Sequence, residues 1–348
     1  MKDKHITVIL IFVCLSFSSF LVGYFIINDR GNIGSSQILS RFTSPNPTEK
    51  TEKSLAITSE PVISFVLKGK VIRYVKRDGQ VLELNPSNLI TTPISKVAMP
   101  AILGTIWSPD ADNLIYLANR SDGNRFVYLN LNTGVMKNLD HSIETLAFSP
   151  DSSRIAYVAR VGNSGSVIIQ YLDSSDFKRV ADVRLKASSL SWLDDNTLYV
   201  RSLEGDRYTS FLLTFDGQLS KITQNKNSLE ELPSGDGGKV LLSSSVGSRD
   251  AISVFDVSQG KETPLGLETR ADKCGWSIDN KHVFCAVPKN QSGQEDIYTI
   301  DTETKEKKLV GPLESYIVVE KLLVSELEDY AIIQNSLDHK LYRVSLDL

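Results

Sequence analysis

Cys274 and Cys285, three carboxylates and a recurring set of basic side chains are the residues whose types and spacing bear on chemistry. The two cysteines flank a turn centred between Asp279 and Asn280. On paired strands that turn sets Trp276 opposite Val283 and Cys274 opposite Cys285, at the close approach of cross-strand neighbours. Two states are open to the pair. One is a disulfide within a single hairpin, where the compartment is oxidising. The other is two buried thiols acting as small hydrophobes.

Glu144, Glu230 and Asp272, with Lys273, stand at the starts of short apolar strands. If those starts converge on a channel, the carboxylates are placed to bind a cation or to act as acid and base. Their offsets from the neighbouring aromatic residues are unequal, which favours solvated strand ends over one joint site. Arg77, Arg120, Arg160 and Lys289 follow Phe65, Trp107, Phe148 and Trp276 by twelve or thirteen residues, and Arg249 holds a similar place. Brought to one face, they form a basic rim suited to an anionic protein or envelope polymer. Asp78, Asp122, Asp250 and Asp296 occupy the same loops and oppose that field. The histidines, His5, His141, His282 and His339, fall at different places in the pattern and read as surface or turn residues. With three cysteines they make no zinc-type ligand set, so no metal site is expected. No G-x-S-x-G elbow, P-loop or G-x-G-x-x-G occurs, and no cofactor is expected.

The elements that must position these residues form a repeat. WSPDADNLIYLANR begins at Trp107, FSPDSSRIAYVAR at Phe148, WLDDNTLYVRS at Trp192 and WSIDNKHVFCAV at Trp276. The anchors lie 41, 44 and 84 residues apart, and the last gap is two periods whose midpoint falls two residues past Leu232, in LPSGDGGKVLLSS. Extension in both directions reaches Phe65 and Val324, giving seven units. Each unit has a strand ending in an aromatic residue, a Ser-Pro-Asp-type turn and an alternating strand. A Gly/Asn/Ser loop, a third strand and a short fourth complete it. Four short strands in about 42 residues are the mark of a β-propeller blade. The fold class predicted is all-β: a single propeller over 54–348, with six blades the alternative count if the Phe65 and Val324 units share one. KLYRVSLDL supplies only a third strand to the last unit, so residues 54–59 are expected to close it as the outer strand.

Ile6 to Ile27 is a run of 22 uncharged residues. As a helix it reaches about 33 Å, enough to span a bilayer core. The run ends in YFII, without the small residues of a cleavage site, so it reads as a signal anchor. Lys2 and Lys4 precede it, which places residues 1–5 in the cytoplasm and the rest outside the plasma membrane. Residues 28–53 are polar and aperiodic and read as a flexible linker. The charge balance, 38 basic against 42 acidic side chains, argues against nucleic acid as a partner.

The F/W-S-P-D-x-x-x-I-A-Y unit, with its trailing I-Y-x-x-D-x-x-T/S-G, resembles the TolB-type, WD40-like propeller repeat. The resemblance covers roughly residues 61–348 and implies a propeller used for protein contacts outside the cytoplasm. From this, the expected function is a non-catalytic interaction or scaffold module, not an enzyme, holding a protein or a cell-envelope component. The alternative is a propeller enzyme, hydrolase or lyase, acting on envelope carbohydrate or peptide at the central channel.

Overall fold

The Ser-Pro-Asp motifs fold as tight hairpins whose serine ties the turn together. Ser108 donates to the Asp110 carboxylate and accepts the Asn113 N–H at 2.9 Å. Ser149, Ser234 and Ser277 repeat both bonds, with Asp151, Asp236 and Asp279 as acceptors. The third residue past each serine takes left-handed backbone: Ala111, Ser152, Gly237, Asn280 and, after Ser325, Glu328. In LPSGDGG this position must be glycine, because a Cβ on Gly237 would lie 1.8 Å from the Leu193 carbonyl oxygen.

The structure, a computed structural model, describes residues 54–121, 123–162, 164–173, 176–247, 249–289 and 293–346. The span expected over 6–27 and the linker over 28–53 lie outside them. Among the described residues no helix is long and apolar enough to cross a membrane.

These residues form seven antiparallel four-stranded sheets. Six follow chain order, built by 62–95, 102–138, 143–183, 187–226, 230–264 and 274–312. The seventh takes three strands from 319–345, and Ser54–Ala56 pairs beside Leu341–Ser345 as its outer strand. Apolar alternation drives the stacking, because each sheet buries both faces against its neighbours. Seven hydrophobic clusters result, each shared by two successive sheets. The cluster of Phe65, Ile72 and Leu84 with Ile332 and Leu341 joins the seventh sheet to the first. The fold is thus all-β and propeller-like, a closed ring whose first strands are innermost.

Candidate functional site

Antiparallel order decides which side chains share a mouth of the ring. The first strand of each sheet starts on the rim where the second ends and the third begins. In five sheets the first strand bulges near its start. The register skips one residue between Val62 and Ser64, Ile102 and Gly104, Ile143 and Thr145, Ala187 and Ser189, and Val319 and Lys321. The extra residues are Ile63, Leu103, Glu144, Ser188 and Glu320. A bulge re-aims a side chain that the pleat would otherwise fix against the next sheet.

Around this mouth the charges pair both within sheets and between them. Glu144 is held by Arg160 of its own sheet. Arg201 reaches Glu231 at 2.7 Å and Glu230 at 3.6 Å. Ser189 also donates to Glu231. Arg270 lies 3.5 Å from Glu230 and 2.6 Å from Asp272, so one guanidinium joins these two carboxylates. Lys273 turns away to the buried Glu295, which also accepts the Val319 N–H at 2.7 Å. Of the four mouth residues expected from sequence, the described contacts therefore link Glu230 with Asp272 through Arg270. Glu144 and Lys273 each have a separate partner.

Two further groups stand out by their environment. Burial raises the Glu231 carboxyl above the usual carboxylate range, against the pull of Arg201. Burial lowers the Lys321 ammonium, which lies 5.2 Å from the Phe65 ring centroid and donates to the Phe65 carbonyl at 3.3 Å. Both groups stand on innermost strands, where burial works against the charged form of each. Beside Lys321, the bulged Glu320 meets His339 at 3.0 Å. Sequence reasoning missed Arg201, Glu231, Arg270, Glu320, His339 and Lys321 as site residues. The acidic pair Glu230-Glu231 was a visible signal; the bulge at Glu320 and the loop position of Arg270 have no sequence mark.

The basic rim residues all sit at second-to-third hairpins on this side. Arg77 and Arg120 are exposed. Arg160 pairs with Glu144, Arg249 with Glu268 at 2.7 Å and Lys289 with Asp296 at 3.6 Å. Three of the five thus pair with a neighbouring carboxylate. Cys274 and Cys285 are opposite in register and joined as a disulfide, buried between the fifth and sixth sheets. His141 lies beside Asp140, and His282 between Asp279 and Asp301.

No protein-family model matches the chain, and no curated protein matches it. Its fold matches solved structures. An oligogalacturonate lyase in complex with manganese superposes with a TM-score of 0.62 at 12% identity, over 84% of this chain and 93% of that one. The oligogalacturonate lyase of Vibrio parahaemolyticus gives 0.62 at 11% identity, over 86% and 94%. The Cps50 (Swd1) β-propeller domain of Myceliophteria thermophila gives 0.60 at 10% identity, over 84% and 99%. The chain has a β-propeller fold.

The expectation of a non-catalytic scaffold is corrected by these matches, since two of the three are enzymes. The physical reason is plain. A propeller mouth gathers single residues from separate sheets, so the absence of any compact catalytic motif does not argue against catalysis. The manganese of the lyase complex does not carry over. Among the described residues no group of three or more His, Cys, Asp or Glu is placed to hold a metal ion. The residues present do not fit that ion.

Proposed function

We propose that this chain is a propeller enzyme of the lyase or hydrolase kind that cleaves an acidic polysaccharide of the cell envelope. Each sheet is one blade of a seven-bladed propeller, and residues 6–27 anchor it to the plasma membrane with the propeller outside. The observation that carries the reading is a carboxyl and an amine enclosed on the innermost strands: Glu231, 2.7 Å from Arg201, and Lys321, 5.2 Å from the Phe65 ring centroid. The support from fold is the likeness to lyases that act on oligogalacturonate.

In this reading Arg201 and Arg270 bind sugar carboxylates, the geometry in which guanidinium is strongest. Lys321 takes the proton next to the carboxylate, and Glu231 gives one to the leaving oxygen. The C–O bond breaks as a C=C bond forms, so elimination needs no oxidant. The test is incubation of the purified chain with oligogalacturonate and other uronate oligomers. A lyase raises the ultraviolet absorbance of the new double bond, whereas a hydrolase raises reducing ends alone. Absence of both across the panel refutes the proposal. A reporter fusion after residue 53 that is active only outside the cytoplasm tests the orientation.

A further inference from the structure

On the opposite rim, between the second and third sheets, lies a cavity of about 500 Å³. Its walls include Asn113, Tyr128, Asn130, Thr133, Lys137 and Tyr171. The size suits a small ligand. Asn113 is only 7% exposed, and its Oδ1 accepts from Tyr128 Oη at 2.6 Å and from Asn130 Nδ2 at 3.0 Å. Those two bonds fix the amide and leave its Nδ2 donating to no described residue. A fixed amide with unused donors at a cavity wall can meet the oxygens of a polar ligand.

Tyr171 supplies the other half. The residue is 48% exposed, and the Arg154 guanidinium lies 5.9 Å from its ring centroid and itself lies over Trp192 at 5.1 Å. The electron-rich face of a fixed aromatic ring attracts the polarised C–H face of a pyranose. Amides and hydroxyls alongside it match sugar hydroxyls. The charges, Lys137 and Asp173, are one of each sign, which disfavours phosphate and nucleotides. A second cavity, of about 430 Å³, shares Asn130 and Thr133 with the first. The two together suit a chain of sugars better than a single ring.

We infer that this cleft is a saccharide-binding site for a neutral oligosaccharide, separate from the charged mouth. The inference goes beyond the catalytic reading and stands without it. The test uses the full chain in a detergent without a sugar headgroup. It is titrated with neutral trisaccharides built on glucose, N-acetylglucosamine, galactose and mannose, and followed by calorimetry and saturation-transfer NMR. At least one is expected to bind. Tyr171→Ala is expected to weaken it by about tenfold or more, and Tyr171→Phe to retain it within about twofold. Lys137→Ala, an exposed change, tests the wall a second time and is expected to weaken binding. Failure of every trisaccharide to bind, binding that survives both alanine variants, or selective binding of peptides instead overturns the inference.

Discussion

Lys321 closes the ring by laying its ammonium over Phe65, 5.2 Å from the ring centroid, with one hydrogen bond to the Phe65 carbonyl. Three other junctions link innermost strands through side-chain hydrogen bonds: Thr105 to Ser64, Trp276 to the Leu232 carbonyl, and Ser189 to Glu231. Only the last junction buries an amine against an apolar face, with no carboxylate among its described partners. A cation–π contact offsets part of the desolvation, not all of it. Such a residue stands against stability, which is the usual signature of function.

Lys321→Met is therefore expected to raise stability at neutral pH, by about 1 kcal/mol or more, while abolishing cleavage of any uronate substrate. The pH dependence has a definite sign. Burial lowers the folded pKa below the ordinary lysine value. The unfolded chain then binds more protons between the two values, so stability rises with pH across that window. The destabilisation is fully present below the folded pKa. Thermal melts against pH for the two proteins should converge as the pH approaches the ordinary lysine value. A constant gap contradicts this account.

Glu231 has the opposite sign. Its folded pKa is raised, so the folded state binds the extra proton, and stability falls as pH rises from the ordinary carboxyl value through the raised one. Glu231→Gln keeps an acceptor for Ser189 and removes that slope. Arg201 retains Glu230 at 3.6 Å, so the variant should fold. In the proposed reaction Glu231 is the acid, and the rate should fall as pH rises through its pKa. A pH–rate profile with the same alkaline limb in the glutamine variant excludes that role.

The Ser-Pro-Asp turns make a prediction about stability alone. Burial by itself would raise the Asp279 carboxyl, but the Ser277 hydroxyl and the Lys281 N–H donate to it and hold it down at about 2. Its contribution is present above the ordinary carboxyl value and is lost as pH falls through about 2. Asp279→Ala should cost about 1 kcal/mol at neutral pH, and the deficit should shrink in acid. Chemical denaturation at neutral and acid pH measures both. A deficit that persists in acid means that shape, not charge, holds the turn.

The Cys274–Cys285 bond joins the first two strands of the sixth sheet across a separation of 11 residues. Both residues are buried, so the bond adds a constraint where packing is already dense. Reduction, or Cys274→Ala with Cys285→Ala, should cost about 2–3 kcal/mol. Melting with and without reductant decides it: the intact chain should shift and the double variant should not.

What the sequence made legible was local. Trp107-Ser-Pro-Asp and Phe148-Ser-Pro-Asp carry their own turn chemistry, and the register of Cys274 on Cys285 follows from a turn at Asp279-Asn280. The mouth was legible only in part. Glu230 and Asp272 stand at visible strand starts, but Arg270, which joins them, belongs to the connection between two sheets. Glu320 and His339 meet because a bulge at Glu320 faces a hairpin nineteen residues away. Nothing in the spacing of either residue encodes that contact. Lys321 reads as an ordinary strand cation until the first sheet closes over it.

Closure itself supplies the last prediction. Ser54–Ala56 pairs with Val344, Arg343 and Tyr342, and the Ile57 N–H donates to the Leu341 carbonyl at 2.9 Å. Thr58 accepts the Leu341 N–H at 2.9 Å through its hydroxyl. Ile57 is buried in the cluster that joins the seventh sheet to the first. Without residues 54–58, Leu341–Ser345 becomes an exposed edge strand at the seam, open to pairing with a second copy. A chain beginning at residue 59 should melt lower and self-associate, seen as a concentration-dependent shift on size exclusion. Ile57→Ala separates the two effects. It keeps the strand pairing but empties the pocket, so it should cost about 2–4 kcal/mol and leave the protein monodisperse. Self-association of the alanine variant as well would place the seam's strength in packing around Ile57, and not in the paired backbone.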